Sequence, residues 1–427
     1  MGPFARRSLD VNLVIRGARL PTGGGPVDIG IADGRIALIA PRIAEPGAHE
    51  IRAEGRLVIP GLVESHFHLD KALLGAGAPS AAGTVQGAIR ATAEAKRRFT
   101  VEDIAARARR ALEMAIRHGT TAMRTHVEVD PIVGLRGMEA ILPLQREYAW
   151  AIDLQVCVFP QEGILKTPGT EALMREALRL GGEAVGGVPY NDTDGRAHLG
   201  LVFDLAREFD RDVDLHLDFF DEPGELLVGE VADLAIARGW QGRVSAGHVS
   251  ALGALEPSAL APIAARIRDA GLSILVLPAT DLYLMGRHDT KNVRRGLAPV
   301  RQLLEAGVNV AVATNNVQNP FTPFGDADLL RVANLLATAA HFGTADDLVR
   351  VLGMATENGA RAIRRSGYGL VEGARADLVL LDCTEPAEAV GVIPERLWVV
   401  KDGVVSVTNR VETTFGRGRG PTDGRER

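Results

Sequence analysis

The stretch that decides the fold is GLVESHFHLDKALL, residues 61–74, which follows the apolar run RLVIP at residues 56–60. Side chains alternate along an extended chain, so His66 and His68 project from one face of a strand and Phe67 from the other. A single histidine at a strand end is often only a hydrogen-bonded packing residue. Two adjacent neutral imidazoles are difficult to satisfy without a cation, and imidazole nitrogen suits zinc, iron, cobalt and nickel. The pair therefore predicts a metal site.

The middle of the chain alternates short apolar runs with amphipathic stretches. Alternating strands and helices with eight strands predict an α/β fold of the (β/α)8 barrel type. Barrel enzymes carry their chemistry at the C-terminal ends of these strands, which is where the polar residues of this sequence fall. The eight predicted strands end near His66, His126, Gln161, Pro189, His216, His248, Pro278 and Asn315.

Two of the intervening stretches carry clear helix boundaries. The stretch TVEDIAARARRALEMAIRHG begins at Thr100, has acidic residues in its first turn, and reaches Gly119. The stretch EPSALAPIAARIRDAG ends at Gly271. A threonine before the first turn and a glycine after the last turn are typical helix start and stop signals.

Both ends of the chain read as short strands broken by glycine and proline. The segments VDIGIADGRIALIA and LWVVKDGVVSV each place an Asp-Gly pair between apolar runs, which is a strong hairpin signal. We therefore expect one small composite β-sandwich from residues 1–60 and 370–410, and a barrel over residues 61–369. The polar, glycine-rich residues 411–427 are expected to be a disordered tail.

The composition indicates which classes of partner and which cellular compartment to expect. The 427 residues are 46% hydrophobic and 24% charged, with a formal net charge of -6, as in ordinary globular proteins. A nucleic-acid face is not expected because Lys and Arg form no run, and no apolar run reaches the roughly 18 residues needed to span a bilayer. Cys157 and Cys383 stand too far apart to suggest a disulfide framework or a thiolate site. The start lacks the apolar core of a secretory signal, so a cytoplasmic location is expected, and a homo-oligomer stays open.

A third histidine completes the candidate metal site. His216 lies in DVDLHLD, on a separate predicted strand, and can add a third imidazole to the face formed by His66 and His68. A metal with three protein ligands keeps an open position for water, whose pKa falls toward about 7 in the strongest zinc cases. His248 stands at another predicted strand end nearby in the barrel.

Several further stretches resemble the amidohydrolase superfamily, in particular the cytosine deaminases and their triazine-degrading relatives. The resemblance runs from about residue 12 to residue 405 and preserves order and spacing. It implies a barrel with a composite β-sandwich, one iron or zinc ion, and hydrolysis of C–N bonds in small N-heterocyclic or cyclic amide substrates. The stretches are FPQEGIL (159–165), DVDLHLD (212–218), GHVSAL (247–252), LMGRHDTKNVRRG (284–296) and NNVQNPFTPFGDADLL (315–330).

The resemblance assigns roles to individual residues. His66, His68 and His216 match the metal histidines, and His248 matches the histidine that contacts the attacking water or the tetrahedral intermediate. Gln161 matches a residue whose amide hydrogen-bonds the edge of the heterocycle, because an amide offers both a donor and an acceptor.

Lys71 matches the triazine-degrading relatives better than the deaminases, with an ordinary surface lysine as the alternative. In the loop after the eighth strand, Asn316 and Phe321 are expected to face the substrate, and Phe324 to join Phe321 in an apolar wall.

Two departures from the family pattern bear on activity. Phe219 stands where cytosine deaminases carry a proton-shuttling Glu, and Phe can neither give nor take a proton. Asn315 stands where the family has a metal-ligating Asp that also acts as base, although Asn is also common in turns. Another group must then accept the proton of the attacking water, and His248 is the first candidate. Asp218 is the second, with the orientation of a metal ligand as its alternative role.

Taken together, the sequence predicts a metal-dependent amidohydrolase or deaminase. It hydrolyses an amidine, amide or exocyclic amine C–N bond of a small N-heterocycle and uses one divalent transition metal ion, zinc or iron. The alternative is a degenerate family member that binds a heterocycle or a metal without efficient turnover.

Overall fold

The computed structural model describes residues 11–44, 46–75 and 83–414. Sixteen strands lie within these ranges, and their bounds in chain order are β1 (Leu13–Ala18), β2 (Val27–Ala32), β3 (Arg35–Ala40), β4 (His49–Arg52), β5 (Val58–Pro60), β6 (Leu62–Phe67), β7 (Thr120–Glu128), β8 (Asp153–Phe159), β9 (Ala184–Gly187), β10 (Asp212–Leu217), β11 (Val244–His248), β12 (Ser273–Val276), β13 (Asn309–Val312), β14 (Leu378–Leu381), β15 (Arg396–Lys401) and β16 (Val404–Thr408).

Strands β6 to β13 form one parallel sheet in which every strand pairs with its neighbours along the chain. All eight strands predicted from the sequence are present, and the sheet curls into a nearly closed barrel. The seam lies between the segment after β13 and the end of β6. There the Asn315 amide N–H donates to the carbonyl of His66 at 2.9 Å, and the His68 N–H donates to the carbonyl of Asn315 at 3.0 Å. The residue that closes the barrel is thus also the residue predicted to stand at the position of the family's metal-ligating Asp.

Asn315 closes this seam in a left-handed backbone conformation, with φ of 67°. Asn tolerates that region better than most residues because its short polar side chain satisfies nearby backbone groups. The preference of Asn for turns therefore contributes at this position together with any role in the site.

Helices cover the outside of the barrel, and both predicted helix boundaries are confirmed. The Thr100 hydroxyl accepts a hydrogen bond from the Asp103 N–H, and Gly119 and Gly271 follow their helices with φ of 93° and 64°. The helices are α1 (Val85–Ala95), α2 (Val101–Arg117), α3 (Arg136–Glu147), α4 (Thr170–Leu180), α5 (Gly195–Phe209), α6 (Val228–Ala237), α7 (Pro257–Asp269), α8 (Pro278–Leu284), α9 (Val300–Glu305), α10 (Leu329–Ala339), α11 (Ala345–Met354), α12 (Glu357–Ala362) and α13 (Pro386–Gly391).

The two ends of the chain build two four-stranded sheets outside the barrel. One has the order β3-β2-β1-β4, and the other has the order β16-β15-β14-β5, so the second sheet joins an N-terminal strand to three C-terminal ones. Both Asp-Gly pairs form the hairpins expected of them. Asp33 and Gly34 have φ of 49° and 73°, and Asp402 and Gly403 have φ of 49° and 77°.

The two small sheets share one apolar core, which includes Ile15 and Ile29 from the first sheet and Val58 and Leu378 from the second. The fold class predicted from the sequence is confirmed, whereas the exact domain boundaries stay a prediction. Residues 415–427 of the expected tail lie outside the described residues, and residues 411–414 have no regular secondary structure. Among the described helices, none has the length and apolar character needed to span a membrane.

Candidate metal and substrate site

Three predicted metal histidines converge inside the C-terminal mouth of the barrel. His66 and His68 come from the end of β6, and His216 comes from β10. The Nε2 atom of His216 lies 3.2 Å from that of His66 and 3.0 Å from that of His68. Two nitrogens that bind one tetrahedral zinc at 2.0–2.1 Å are separated by roughly 3.3 Å. Both separations match those of two ligands on one ion, so His216 can share a transition-metal ion with His66 or with His68.

The protonation state of the three histidines suits this role. Burial, assisted by the neighbouring His126, lowers the pKa of His66 to about 3. Burial also holds the pKa values of His68 and His216 well below their ordinary range. All three rings are therefore neutral near pH 7, with a lone pair free for a metal.

A fourth histidine of this cluster, His126 at the end of β7, was not predicted as a site residue. Its ring centroid lies 4.0 Å from that of His66. Nitrogens of His66, His126 and His216 all lie within 4.8 Å of one another. The Nε2 atom of His126 is also 3.3 Å from Asp214 Oδ1, and that carboxylate lies 3.5 Å from His66 Nδ1. Asp214 thus stands behind the cluster, where it can orient both rings. The only sequence signal for His126 was its place among the eight strand ends.

Asn315 lies beside the histidines, because its backbone is hydrogen-bonded to the backbones of His66 and His68. Its amide nitrogen donates to the Thr280 hydroxyl at 3.1 Å. Its Oδ1 atom is buried and has no hydrogen-bond partner among the residues that the structure describes. An unpartnered buried oxygen is costly, so this atom is a candidate to complete the ligand set. A neutral amide cannot act as a base.

His248 has a carboxylate partner that the sequence analysis missed. The His248 Nδ1 atom lies 2.6 Å from Asp281 Oδ1, which leaves Nε2 free for the site. The ring centroids of His248 and His216 are 5.3 Å apart. Burial raises the pKa of Asp281, although the histidine opposes this shift. Asp281 comes from α8, in a run that carries no recognisable motif, so nothing in the sequence alone marked it.

Phe219, which the resemblance predicts to replace the proton-shuttling Glu of cytosine deaminases, lies against His248. Its ring stacks on His248, with centroids 3.8 Å apart and an interplanar angle of 21°. Phe219 also belongs to an apolar cluster with Phe321, Met285 and Ile89 of α1. This wall is therefore apolar, and His248 is the titratable group against which Phe219 stacks.

Asp218, the second candidate base, has both oxygens occupied. They accept hydrogen bonds from the backbone N–H groups of Leu227 and Val228, each at 3.0 Å, at the start of α6. Burial raises the pKa of this carboxyl to about 6, although the two N–H groups oppose the shift. This placement fits an orienting role better than proton transfer.

Lys71 lies inside the site, so its alternative interpretation as a surface lysine is wrong. It is 1% exposed, and its Nζ atom lies 2.6 Å from Glu128 Oε1 and 3.1 Å from Gln161 Oε1. The ammonium also stands 4.9 Å from the centroid of the Phe321 ring and 5.4 Å from that of Phe159. The structure therefore brings Lys71, Gln161 and Phe321 together. Because Oε1 of Gln161 accepts from Lys71, its amide nitrogen is the group left to donate.

The remaining loop residues lie farther from the histidines. The Asn316 Oδ1 atom accepts from Asn319 Nδ2 at 2.6 Å, and Asn316 lines a separate cavity of about 600 Å³ with Phe324. Phe324 is 46% exposed and is not in the apolar cluster that contains Phe321, so an apolar wall formed by both residues stays a prediction. Asn316 shapes the loop after β13, and its contact with substrate stays a prediction.

A second buried lysine stands behind Lys71. Lys96 Nζ lies 3.0 Å from Glu128 Oε2, 2.6 Å from Asp130 Oδ2 and 2.8 Å from Glu162 Oε1. The sequence analysis missed all four of these residues. Lys96 follows α1 in a run of basic residues that is typical of a solvated helix end, and its carboxylate partners come from other strands.

This geometry agrees with what sequence and structure comparisons show. The amidohydrolase family model matches residues 49–147 and 140–408. The chain belongs to the amidohydrolase family. It is 31% identical over 414 residues to N-isopropylammelide isopropyl amidohydrolase of Pseudomonas sp. (strain ADP), covering 95% of this chain and 99% of that protein.

Two solved structures extend the family relationship to the fold. 5-Methylcytosine deaminase from Klebsiella pneumoniae, liganded with 5-fluorocytosine, has a TM-score of 0.90 and 33% identity over 94% of this chain and 99% of that one. N-isopropylammelide isopropylaminohydrolase from Burkholderia multivorans has a TM-score of 0.82 and 30% identity over 93% of this chain and 98% of that one. This amidohydrolase thus resembles a 5-methylcytosine deaminase and N-isopropylammelide amidohydrolases, which act on C–N bonds of heterocycles.

Proposed function

We propose that this amidohydrolase hydrolyses an amidine, amide or exocyclic amine C–N bond of a small N-heterocycle. The observation that carries the proposal is the convergence of the Nε2 atoms of His66, His68 and His216. One divalent transition metal ion, zinc or iron, fits these nitrogens, with the Asn315 carbonyl oxygen as a further ligand. Such an ion polarises water and the carbon under attack.

His248 is the proposed proton carrier. Its Nδ1 atom is bonded to Asp281, so its Nε2 atom can accept a proton from the attacking water and pass it to the leaving nitrogen. The buried Asp281 carboxylate stabilises the imidazolium that forms, as the carboxylate of a hydrolytic triad does. This arrangement supplies the acid–base function that Asn315 and Phe219 lack.

The substrate ring is proposed to lie between the apolar wall and the Lys71–Gln161 pair. Lys71 and the Gln161 amide nitrogen are hydrogen-bond donors, so they suit ring-edge acceptors such as a carbonyl oxygen or a ring nitrogen. Phe321 and Phe219 offer flat apolar surfaces to the ring faces. The relatives support this class, since 5-fluorocytosine and N-isopropylammelide are both small N-heterocycles.

A second candidate function is binding of a heterocycle or metal without efficient turnover. Two features favour it: Phe219 replaces a proton-transferring Glu of the deaminases, and Asn315 replaces the metal-ligating Asp of the family. The two candidates differ in whether the His248–Asp281 pair alone suffices for proton transfer.

The deciding experiment combines metal analysis with a substrate panel. Purified protein is loaded with zinc or iron, its metal content is measured, and release of ammonia or amine is followed with cytosine, N-alkyl aminotriazines and cyclic amides. Turnover that depends on metal supports the hydrolase. A metal-replete protein that releases nothing from any compound, but binds one of them, supports the binding function instead.

A pair of variants tests the ligand set. We expect His68→Gln to lose most of the bound metal, because its Nε2 atom lies 3.0 Å from that of His216. We expect His126→Gln to retain it, because His126 Nε2 faces Asp214. Elemental analysis of both proteins decides the matter, and metal loss in His126→Gln but not in His68→Gln would replace one ligand by the other.

A further inference from the structure

Lys96 is a completely buried cation with three carboxylate partners, Glu128, Asp130 and Glu162. Burial lowers the pKa of its ammonium, but the three carboxylates outweigh this effect and raise the pKa above its ordinary value. Lys96 is therefore charged. It lies in the short 3-10 turn Lys96–Arg98 directly after α1, outside the strand ends that carry the histidines.

Lys96 is linked to both of the proposed ring-binding residues. The Glu128 carboxylate bridges two ammonium groups, with Oε2 on Lys96 and Oε1 on Lys71. Glu162, which lies 2.8 Å from Lys96 Nζ, is the chain neighbour of Gln161. One buried charge thus holds Lys71 through a shared carboxylate and holds the β8 loop through a direct ion pair.

The charges of this cluster depend on Lys96 for their balance. Lys71 and Lys96 face the three carboxylates of Glu128, Asp130 and Glu162. Without Lys96, one ammonium would face three carboxylates, of which Glu128 and Asp130 are buried and Glu162 is partly exposed. Buried charges are costly unless they are paired, so Lys71 would be drawn toward the vacated partners and away from Gln161.

We propose that Lys96 is a positioning residue of the substrate site, which fixes Lys71 and Gln161 as a paired donor edge through Glu128 and Glu162. The inference rests on the proposed function for the identity of the ligand, but the placement of Lys71 can be measured without turnover. Lys96 itself lies behind the residues that face the ring, and its effect is transmitted by the two carboxylates.

The test compares Lys96→Met with Lys291→Met, in which an exposed lysine is replaced in the same way. For Lys96→Met we expect KM for a substrate found in the panel to rise by roughly tenfold or more, the usual effect of losing a charged hydrogen bond. We expect kcat to fall less and bound metal to stay stoichiometric. In a crystal structure of the variant, Lys71 Nζ and Gln161 Oε1 should no longer be within 3.5 Å. An unchanged KM with this bond intact overturns the proposal.

A second variant separates positioning from stability. Lys96→Met/Asp130→Asn removes one excess negative charge that contacts neither Lys71 nor Gln161, so it should fold better than Lys96→Met. If Lys96 positions the ring-binding pair, KM stays raised in the double variant. If it only stabilises the fold, KM returns to the wild-type value as the Tm recovers. Should the wild type cleave no compound of the panel, the proposed function fails, and the crystallographic readout still decides the role of Lys96.

Discussion

His248 Nδ1 and Asp281 Oδ1 are 2.6 Å apart, and both side chains are buried. A hydrogen bond of this kind sets which ring nitrogen carries the proton, so Nε2 is the nitrogen with a free lone pair. The bond also fixes the plane of the imidazole, which lies against the Phe219 ring. The histidine is thus held by a polar contact at one edge and an apolar contact on one face.

Asp281→Asn should lower kcat by about 10²–10⁴-fold with little change in metal content, because the imidazolium loses its buried counter-charge. Steady-state kinetics and elemental analysis measure both quantities. Asp269→Asn, at an exposed position on α7, is the matched control. A kcat within twofold of wild type would show that His248 needs no carboxylate.

Phe219→Glu should introduce, or at least increase, ammonia release from cytosine. The new carboxyl would replace a ring that is 4% exposed and stacked on His248, and such burial raises a carboxyl pKa so that it retains a proton to donate. Phe219→Leu removes the ring without adding an acid and is the control. Equal rates of cytosine deamination in the two variants would mean that another group limits the reaction.

Asn315→Asp should bind metal more tightly, because a carboxylate replaces the unpartnered amide oxygen. Competition with a chelator measures the change in metal affinity. We expect an increase of at least about tenfold, because contacts that involve a charged group are stronger than contacts between neutral groups. Hydrolysis of a poor substrate should also rise. If the variant instead loses an activity that the wild type has, Asn315 contacts a substrate that a negative charge repels.

The ionisation of Glu128 makes the free energy of unfolding depend on pH in the acid range. Burial alone would raise its pKa, but Lys71 and Lys96 outweigh that and lower it to about 2. A carboxyl whose folded pKa lies below its ordinary value stabilises the fold fully above about pH 4.5, and the contribution is lost as the pH falls toward 2. Glu128→Gln should therefore cost on the order of 3 kcal/mol near pH 7.

The difference in the free energy of unfolding between the wild type and Glu128→Gln should shrink as the pH falls from 4.5 to 2. Urea unfolding at several pH values measures it, with Glu305→Gln, at an exposed position on α9, as the control. A difference in the free energy of unfolding that stays constant over this range would show that the ion pairs of Glu128 with Lys71 and Lys96 do not determine the stability in acid.

The sequence was sufficient for the fold and marked His66 and His216, two of the three histidines that the structure groups as a possible metal site, but it did not mark His126. Strand alternation places His66 and His68 on one face, and a barrel brings strand ends to one mouth. The buried lysines are different, since their environment depends on carboxylates from other strands. Lys71 resembles an ordinary loop lysine until Glu128 is placed beside it, and Asp281 has no local pattern to mark it. The spacing of residues along the sequence does not predict which charged side chains pair in the folded structure.

The pairing of β5 with β14 has a consequence for how the protein must be made. Ile59 faces Val379 across that pair, and β5 leads directly into the strand that carries the metal histidines. During synthesis the strand edge at residues 58–60 waits until more than 300 further residues have left the ribosome. Chains that stop before residue 378 would leave this edge unpaired at the N-terminal end of β6, so we expect premature termination to yield a product prone to aggregation rather than a weaker enzyme.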